Sequence, residues 1–136
     1  MTVASEALIR AAYDAYRRGD VDGMLAAVAP DLEWTYLDPS LVDPQPQVCH
    51  GRDEFAAALR GQAERGLTAQ LEEVIAQGDR VAVCVHIPGV DSYRQWAAHD
   101  RNYDVFTVRD GRIVAMRDCR DRAEALALAG IDHEPG

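Results

Sequence analysis

The run from Tyr103 to Arg120, YDVFTVRDGRIVAMRDCR, limits the fold more than any other part of the chain. Two alternating, β-branched segments flank Asp110-Gly111, and an Asp-Gly pair favours the tight two-residue turn whose central residues both need positive φ. A β-hairpin follows. Side chains repeat every two residues along a strand, so Asp104, Phe106 and Val108 share one face of the first strand, and Val114, Met116 and Asp118 one face of the second. Two carboxylates therefore stand among apolar neighbours. An ionised carboxylate in such a place must be exposed, paired or kept protonated, and the protonated state is one that acid–base catalysis can use.

The 136 residues suffice for one domain with a real core and are too few for two; we expect it to span 1–130, with 131–136 as a short tail. A formal charge of −9 argues against nucleic acid and against anionic membrane surfaces as partners. No apolar run approaches the length of a membrane-spanning helix, and the first residues lack a secretory pattern, so the expected location is the cytoplasm. Cys49, Cys84 and Cys119 fit neither a disulfide framework nor a Cys-x-x-Cys metal site. His50 and His99 lack metal-ligand spacing.

Leu8, Ala11, Ala12 and Ala15, with Ile9 and Tyr16 at the margin, predict an amphipathic helix from about Ala4 to Arg18, stopped by Gly19. Asp20 caps a second, short helix carrying Val21, Met24, Leu25 and Val28 and closed by Pro30. Leu32 to Tyr36 reads as a strand. A proline-rich loop from Asp38 to Gln47 follows, and Val48 to His50 can pair back. Gly51 opens a third helix reaching about Arg65, with Phe55, Ala58, Leu59 and Gln62 along a stripe. Strands follow at Thr68–Gln77 and Arg80–Ile87. The second is apolar on both faces, with Val81, Val83, Val85 and Ile87 opposite Ala82, Cys84 and His86, so both faces need cover. Pro88 to Asp100 reads as a connection able to act as a flap. After the hairpin, Asp121 and Glu124 have capping-box spacing before a last short helix that ends at Gly130. Helices first and mostly antiparallel strands later predict an α+β fold, with helices on one face of a curved sheet.

Several stretches together resemble the SnoaL-like branch of the nuclear transport factor two-like superfamily. They are YRRGDVDGML near the start, PDLEW at 30–34, HGRDEF at 50–55, GDRVAV at 78–83, and the closing hairpin. The resemblance implies a conical mixed sheet wrapped by N-terminal helices around an apolar cavity, a cystatin-like roll. It also implies a small apolar molecule as partner, a homodimer through the outer sheet face, and no cofactor or metal. Members of that branch include ketosteroid isomerases, polyketide cyclases, limonene epoxide hydrolases and non-catalytic binders, so the fold does not choose the function.

Ketosteroid isomerases place a base Asp before a Pro, a protonated Asp on the strand that opens the last hairpin, and a Tyr on the first helix. In this chain Asp38-Pro39 resembles the base site and Asp104 holds the hairpin position. The Tyr position holds Ala12, with Tyr16 one turn further along and Tyr13 beside it. The resemblance thus implies Asp38, Asp104 and Tyr16 as catalytic residues, with Tyr13, Trp34, Tyr36, Phe55, Phe106, Met116 and Asp118 lining the pocket. Limonene epoxide hydrolases also carry an Arg-x-Asp pair at positions held here by Val85 and Ile87, which removes the partners Asp118 would need for that reaction.

A structural reading stands beside each catalytic one. Asp38 suits an Asx turn. Asp104 suits an ion pair with Arg101 or Arg117, and Asp118 one with Arg117 or Arg120. The aromatic residues suit an ordinary core or a dimer contact. Two functions follow: an acid–base catalyst of proton transfer on an apolar carbonyl compound, or a non-catalytic ligand-binding or dimerisation module of the same fold.

Overall fold

The computed structural model describes residues 2–36, 47–64, 70–86, 101–119 and 121–130. The proline-rich loop with Asp38, the expected flap at 88–100 and the tail lie outside the described residues. The elements run α1 (Thr2–Arg17), α2 (Val21–Leu25), β1 (Val28–Tyr36), β2 (Gln47–His50), α3 (Gly51–Glu64), β3 (Gln70–Gln77), β4 (Arg80–His86), β5 (Arg101–Arg109), β6 (Arg112–Cys119) and α4 (Arg122–Leu128).

Among the described residues, six strands form one mixed sheet in the order β2-β1-β6-β5-β4-β3. Among these described strands only β1 and β6 run parallel; the other neighbours are antiparallel. The sheet is curled but not closed, and the architecture is α+β as expected. Asp110 and Gly111 both have positive φ, 53° and 73°, as the tight Asp-Gly turn requires. Asp20 and Asp121 cap α2 and α4, their carboxylates accepting from the backbone N–H of Gly23 and Glu124 at 2.9 and 2.8 Å.

Three local expectations are corrected. Val28 and Pro30 belong to β1 and not to α2, which is only one turn long; Val28 is buried in the core, and Pro30 lies in a part of β1 that β2 does not reach. The buried stripe of α1 is Ile9, Ala12, Tyr13 and Ala15, whereas Ala11 is exposed, so the helix is turned from the expected phase. In the last hairpin the register shifts between Thr107 and Val108, so that Thr107 faces Ala115 while Val108 faces Ile113. That bulge inserts Val114 as an extra residue and turns Ile113, not Val114, into the core.

The main core cluster lies on the inner face. Ile9, Ala12 and Tyr13 of α1, Met24 of α2, and Phe55 and Leu59 of α3 pack on Leu32, Trp34, the three valines of β4, Phe106, Ile113 and Met116. A smaller cluster holds the outer face, where Ala125 of α4 and Ala129 at its C-cap cover Ala82, Val105 and Cys119. Helix α4 is tied down at both ends. Arg122 donates two hydrogen bonds of 2.9 Å to Glu73, while Gln77 and Arg80 donate to the carbonyls of Gly130 and Leu128. Part of the cover that the Ala82 face needs thus comes from the chain itself.

Candidate functional site

The described side chains expected at the site reach it from α1, α3 and the inner face of the adjacent strands β1, β6 and β5. On α1 the rotation that buries Ile9 also carries Tyr13, four residues on, onto the sheet. Its hydroxyl donates to Asp104 Oδ2 at 3.3 Å in a buried setting, and its ring meets Phe106 edge-on at 5.9 Å. Asp104 is only 5 % exposed and, among the described residues, is one of two buried polar residues, the other being Ser5. A bond of 3.3 Å is long for O–H···O, whose usual range is about 2.5–3.0 Å. Such a hydroxyl can be surrendered to a ligand at small cost.

Burial first, then the carboxylates of Asp104 and Asp118, push the Tyr13 hydroxyl well above its usual range. It therefore stays a proton donor at any ordinary pH.

Asp118 lies directly opposite Asp104 across the β5–β6 ladder. Its carboxylate accepts a 3.0 Å hydrogen bond from Trp34 Nε1 of β1. Trp34 in turn contacts Phe55 edge-on at 5.5 Å and Tyr36 at 5.2 Å, and the Tyr36 hydroxyl donates to Gln47 at 2.7 Å. Arg117 belongs to the other face, exposed between Thr35 and Val105 in the ladder, so it does not share the inner face with either carboxylate.

Of the expected catalytic residues, Asp104 is at the site and Asp38 lies outside the described residues. Tyr16 is half-buried against the core, while the hydroxyl that stands against Asp104 is that of Tyr13. The seven expected lining residues Tyr13, Trp34, Tyr36, Phe55, Phe106, Met116 and Asp118 all belong to this one region: the first six join the main core cluster, and Asp118 is held by Trp34. The link between Trp34 and Asp118 spans 84 positions and carries no local signal. The spacing Ile9, Ala12, Tyr13, Tyr16 did offer a signal for Tyr13, since it is an i, i+3, i+4, i+7 stripe.

Cys49, Cys84 and Cys119 are thiols, none of them joined in a disulfide. Burial, with Asp104 next, pushes Cys119 up to about 12, and burial with Glu54 raises Cys49, so neither is a ready nucleophile. Among the described residues no group of three or more His, Cys, Asp or Glu side chains is placed to hold a metal ion, and no helix is long and apolar enough to cross a membrane.

Residues 9–116 match the SnoaL-like domain family. The chain belongs to that family. A solved nuclear transport factor two-like protein of unknown function from Burkholderia pseudomallei is 29% identical, covers 93% of this chain and 97% of its own, and superposes with a TM-score of 0.65. The candidate polyketide cyclase IdmH from Streptomyces antibioticus is 22% identical, covers 93% of this chain and 98% of its own, and gives a TM-score of 0.64. Solved neighbours of cystatin-like fold place this SnoaL-like domain in the same roll. Among curated proteins, the ECF RNA polymerase sigma factor SigJ of Mycobacterium tuberculosis is 27% identical over 103 residues, 74% of this chain and 32% of the sigma factor. The chain spans about a third of the length of the curated relatives it matches.

Proposed function

We propose that this SnoaL-like domain binds a small apolar, carbonyl-bearing molecule against the inner face of its sheet and catalyses proton transfer next to the carbonyl. The observation that carries the reading is the buried contact between the Tyr13 hydroxyl and Asp104. In this mechanism the substrate's carbonyl oxygen takes the place between them. Tyr13 and a protonated Asp104 then donate to the oxygen as it gains negative charge, in a region shielded from water where such donors act most strongly. A carboxylate base removes the proton from the neighbouring carbon and returns it to the same or an allylic carbon. The resemblance nominates Asp38 for that base. Trp34, Phe55, Phe106 and Met116 supply an apolar surface for the rest of the molecule.

The test uses 3-cyclohexenone as probe, following α-hydrogen exchange in deuterated buffer and conversion to the conjugated ketone. Catalysis above the buffer rate that falls about 100-fold or more in Asp104→Ala supports the reading. The same rate in both proteins contradicts it.

A second reading, a ligand-binding module without catalysis, is favoured by the match to one third of a sigma factor. Saturable binding of 2-naphthol, a phenol that mimics the enolate, with no catalysed exchange of any ketone tried, would select this reading.

A further inference from the structure

Asp104 and Asp118 are direct partners in the β5–β6 ladder and point to the inner face with Phe106 and Met116. Directly opposed residues hold their Cβ atoms about 4.5–5.5 Å apart, so the two carboxyl groups stand within reach of each other. Asp104 is buried and Asp118 partly buried; two ionised carboxylates that close, with one of them cut off from water, repel, and such a pair lowers its energy by keeping one proton. Each carboxyl also has its own aromatic donor, and the two donors differ in kind. The Trp34 indole can only donate, which suits an ionised Asp118. The Tyr13 hydroxyl can donate or accept, so it serves Asp104 in either state.

We infer that Asp104 and Asp118 share a single proton, and that Trp34 is a positioning residue which keeps the negative charge on Asp118 and leaves the proton on Asp104. The pair stands on geometry alone, while its catalytic use rests on the proton-transfer reading above. In that use Asp118, not Asp38, is the base. Its carboxylate takes the hydrogen α to the carbonyl, the C–H bond breaks as an O–H bond forms, and the electron pair moves onto the carbonyl oxygen. That oxygen receives hydrogen bonds from Tyr13 and Asp104. Return of the same proton to carbon regenerates the pair, with no oxidant or reductant.

Among the described residues, titratable groups near the pair include Tyr13 and Tyr16 of α1 and Cys49 of β2, with Cys119 on the other face of the sheet beside Glu124 and Arg117. From β4, Val83 stands beside Asp104, and from α3 the nearby ring is that of Phe55, neither of them titratable.

The experiment is a carbon-13 NMR titration of the full chain labelled at its aspartate carboxyls, with assignments from Asp104→Asn and Asp118→Asn. In the unaltered protein both signals should move through the same two steps, more than about one pH unit apart. Asp118→Asn should reduce Asp104 to one step, lowered by about a unit or more, and Trp34→Phe should raise the more acidic step. Two independent single steps in the unaltered protein, or an Asp104 step unmoved by Asp118→Asn, overturn the shared proton. An acidic step unmoved by Trp34→Phe overturns the role of Trp34. Should one variant fail to fold, the other assigns both signals, and their titration in the unaltered protein decides the shared proton. No substrate enters this titration, so a coupled pair without ketone turnover removes the proposed function and keeps the pair. Turnover with uncoupled carboxyls does the reverse. Turnover lost in Asp38→Asn and kept in Asp118→Asn leaves proton transfer standing and removes Asp118 as base.

Discussion

Replacing Tyr13 by Phe separates what the hydroxyl does for folding from what it does for chemistry. The ring remains, so its edge-on contact with Phe106 at 5.9 Å and its place in the core are kept. What is lost is one hydrogen bond of 3.3 Å to Asp104. A bond of that length belongs at the low end of the net contribution of about 0.5–1.5 kcal/mol. For a chain of 136 residues that low end corresponds to a fall in Tm of about 2 °C. Loss of a donor aimed at a developing oxyanion costs far more, about 10²–10³ in kcat. Tyr13→Phe should therefore melt close to the unaltered protein yet lose about 100-fold or more in kcat on 3-cyclohexenone, with KM changed only a few-fold. Tyr16→Phe, whose ring sits at the edge of the core, should stay within about three-fold. Calorimetry and initial rates on the three proteins decide it. Equal kcat in Tyr13→Phe, or a large loss in Tyr16→Phe instead, would refute the assignment of Tyr13 as donor.

Three other outcomes are expected. Ile113→Ala should cost about 2–5 kcal/mol in denaturant unfolding and Val114→Ala less than about 1, because the bulge buries Ile113 and leaves Val114 half-exposed; equal costs would remove the bulge. Hydrogen bonds from Arg122 hold the carboxyl of Glu73 below its usual range, so the stability it adds is present above the unfolded carboxylate value and is lost as pH falls through the lower, folded one. Glu73→Gln should flatten that acid limb slightly, since both partners are partly exposed, and an unchanged acid limb would contradict the tie. We also propose a homodimer through the part of the outer sheet face that α4 leaves open, where Val48 is exposed. Light scattering at micromolar concentration should then give twice 14.9 kDa, and a mass of one chain would count against it.

Where local chemistry dictates structure, the reading from sequence was close. The Asp110-Gly111 turn, the caps at Asp20 and Asp121, and the return of β2 along β1 all follow from residues a few positions apart. The phase of α1 was harder to read, because alanines at 11, 12 and 15 fit two neighbouring stripes about equally; the bulky Ile9 and Tyr13 settle it when they meet the sheet. Alternation failed at Val114 because one inserted residue flips the face of a strand. The outer cover by α4 and the hold of Trp34 on Asp118 join segments far apart in the chain, through contacts that no local pattern encodes. The sequence comparison set Asp104 above Asp118; the structure gives each of them an aromatic donor and sets them face to face.

The proton-transfer reading meets its most direct test in the rate of α-hydrogen exchange of 3-cyclohexenone in deuterated buffer, measured by proton NMR on the unaltered protein and on Asp104→Ala. Exchange faster than the buffer rate, cut by about 100-fold or more in the variant while the fold is retained, is the predicted result. Exchange at the buffer rate in both, with saturable 2-naphthol binding intact, would contradict it and make the inner face of this SnoaL-like domain a binding site alone.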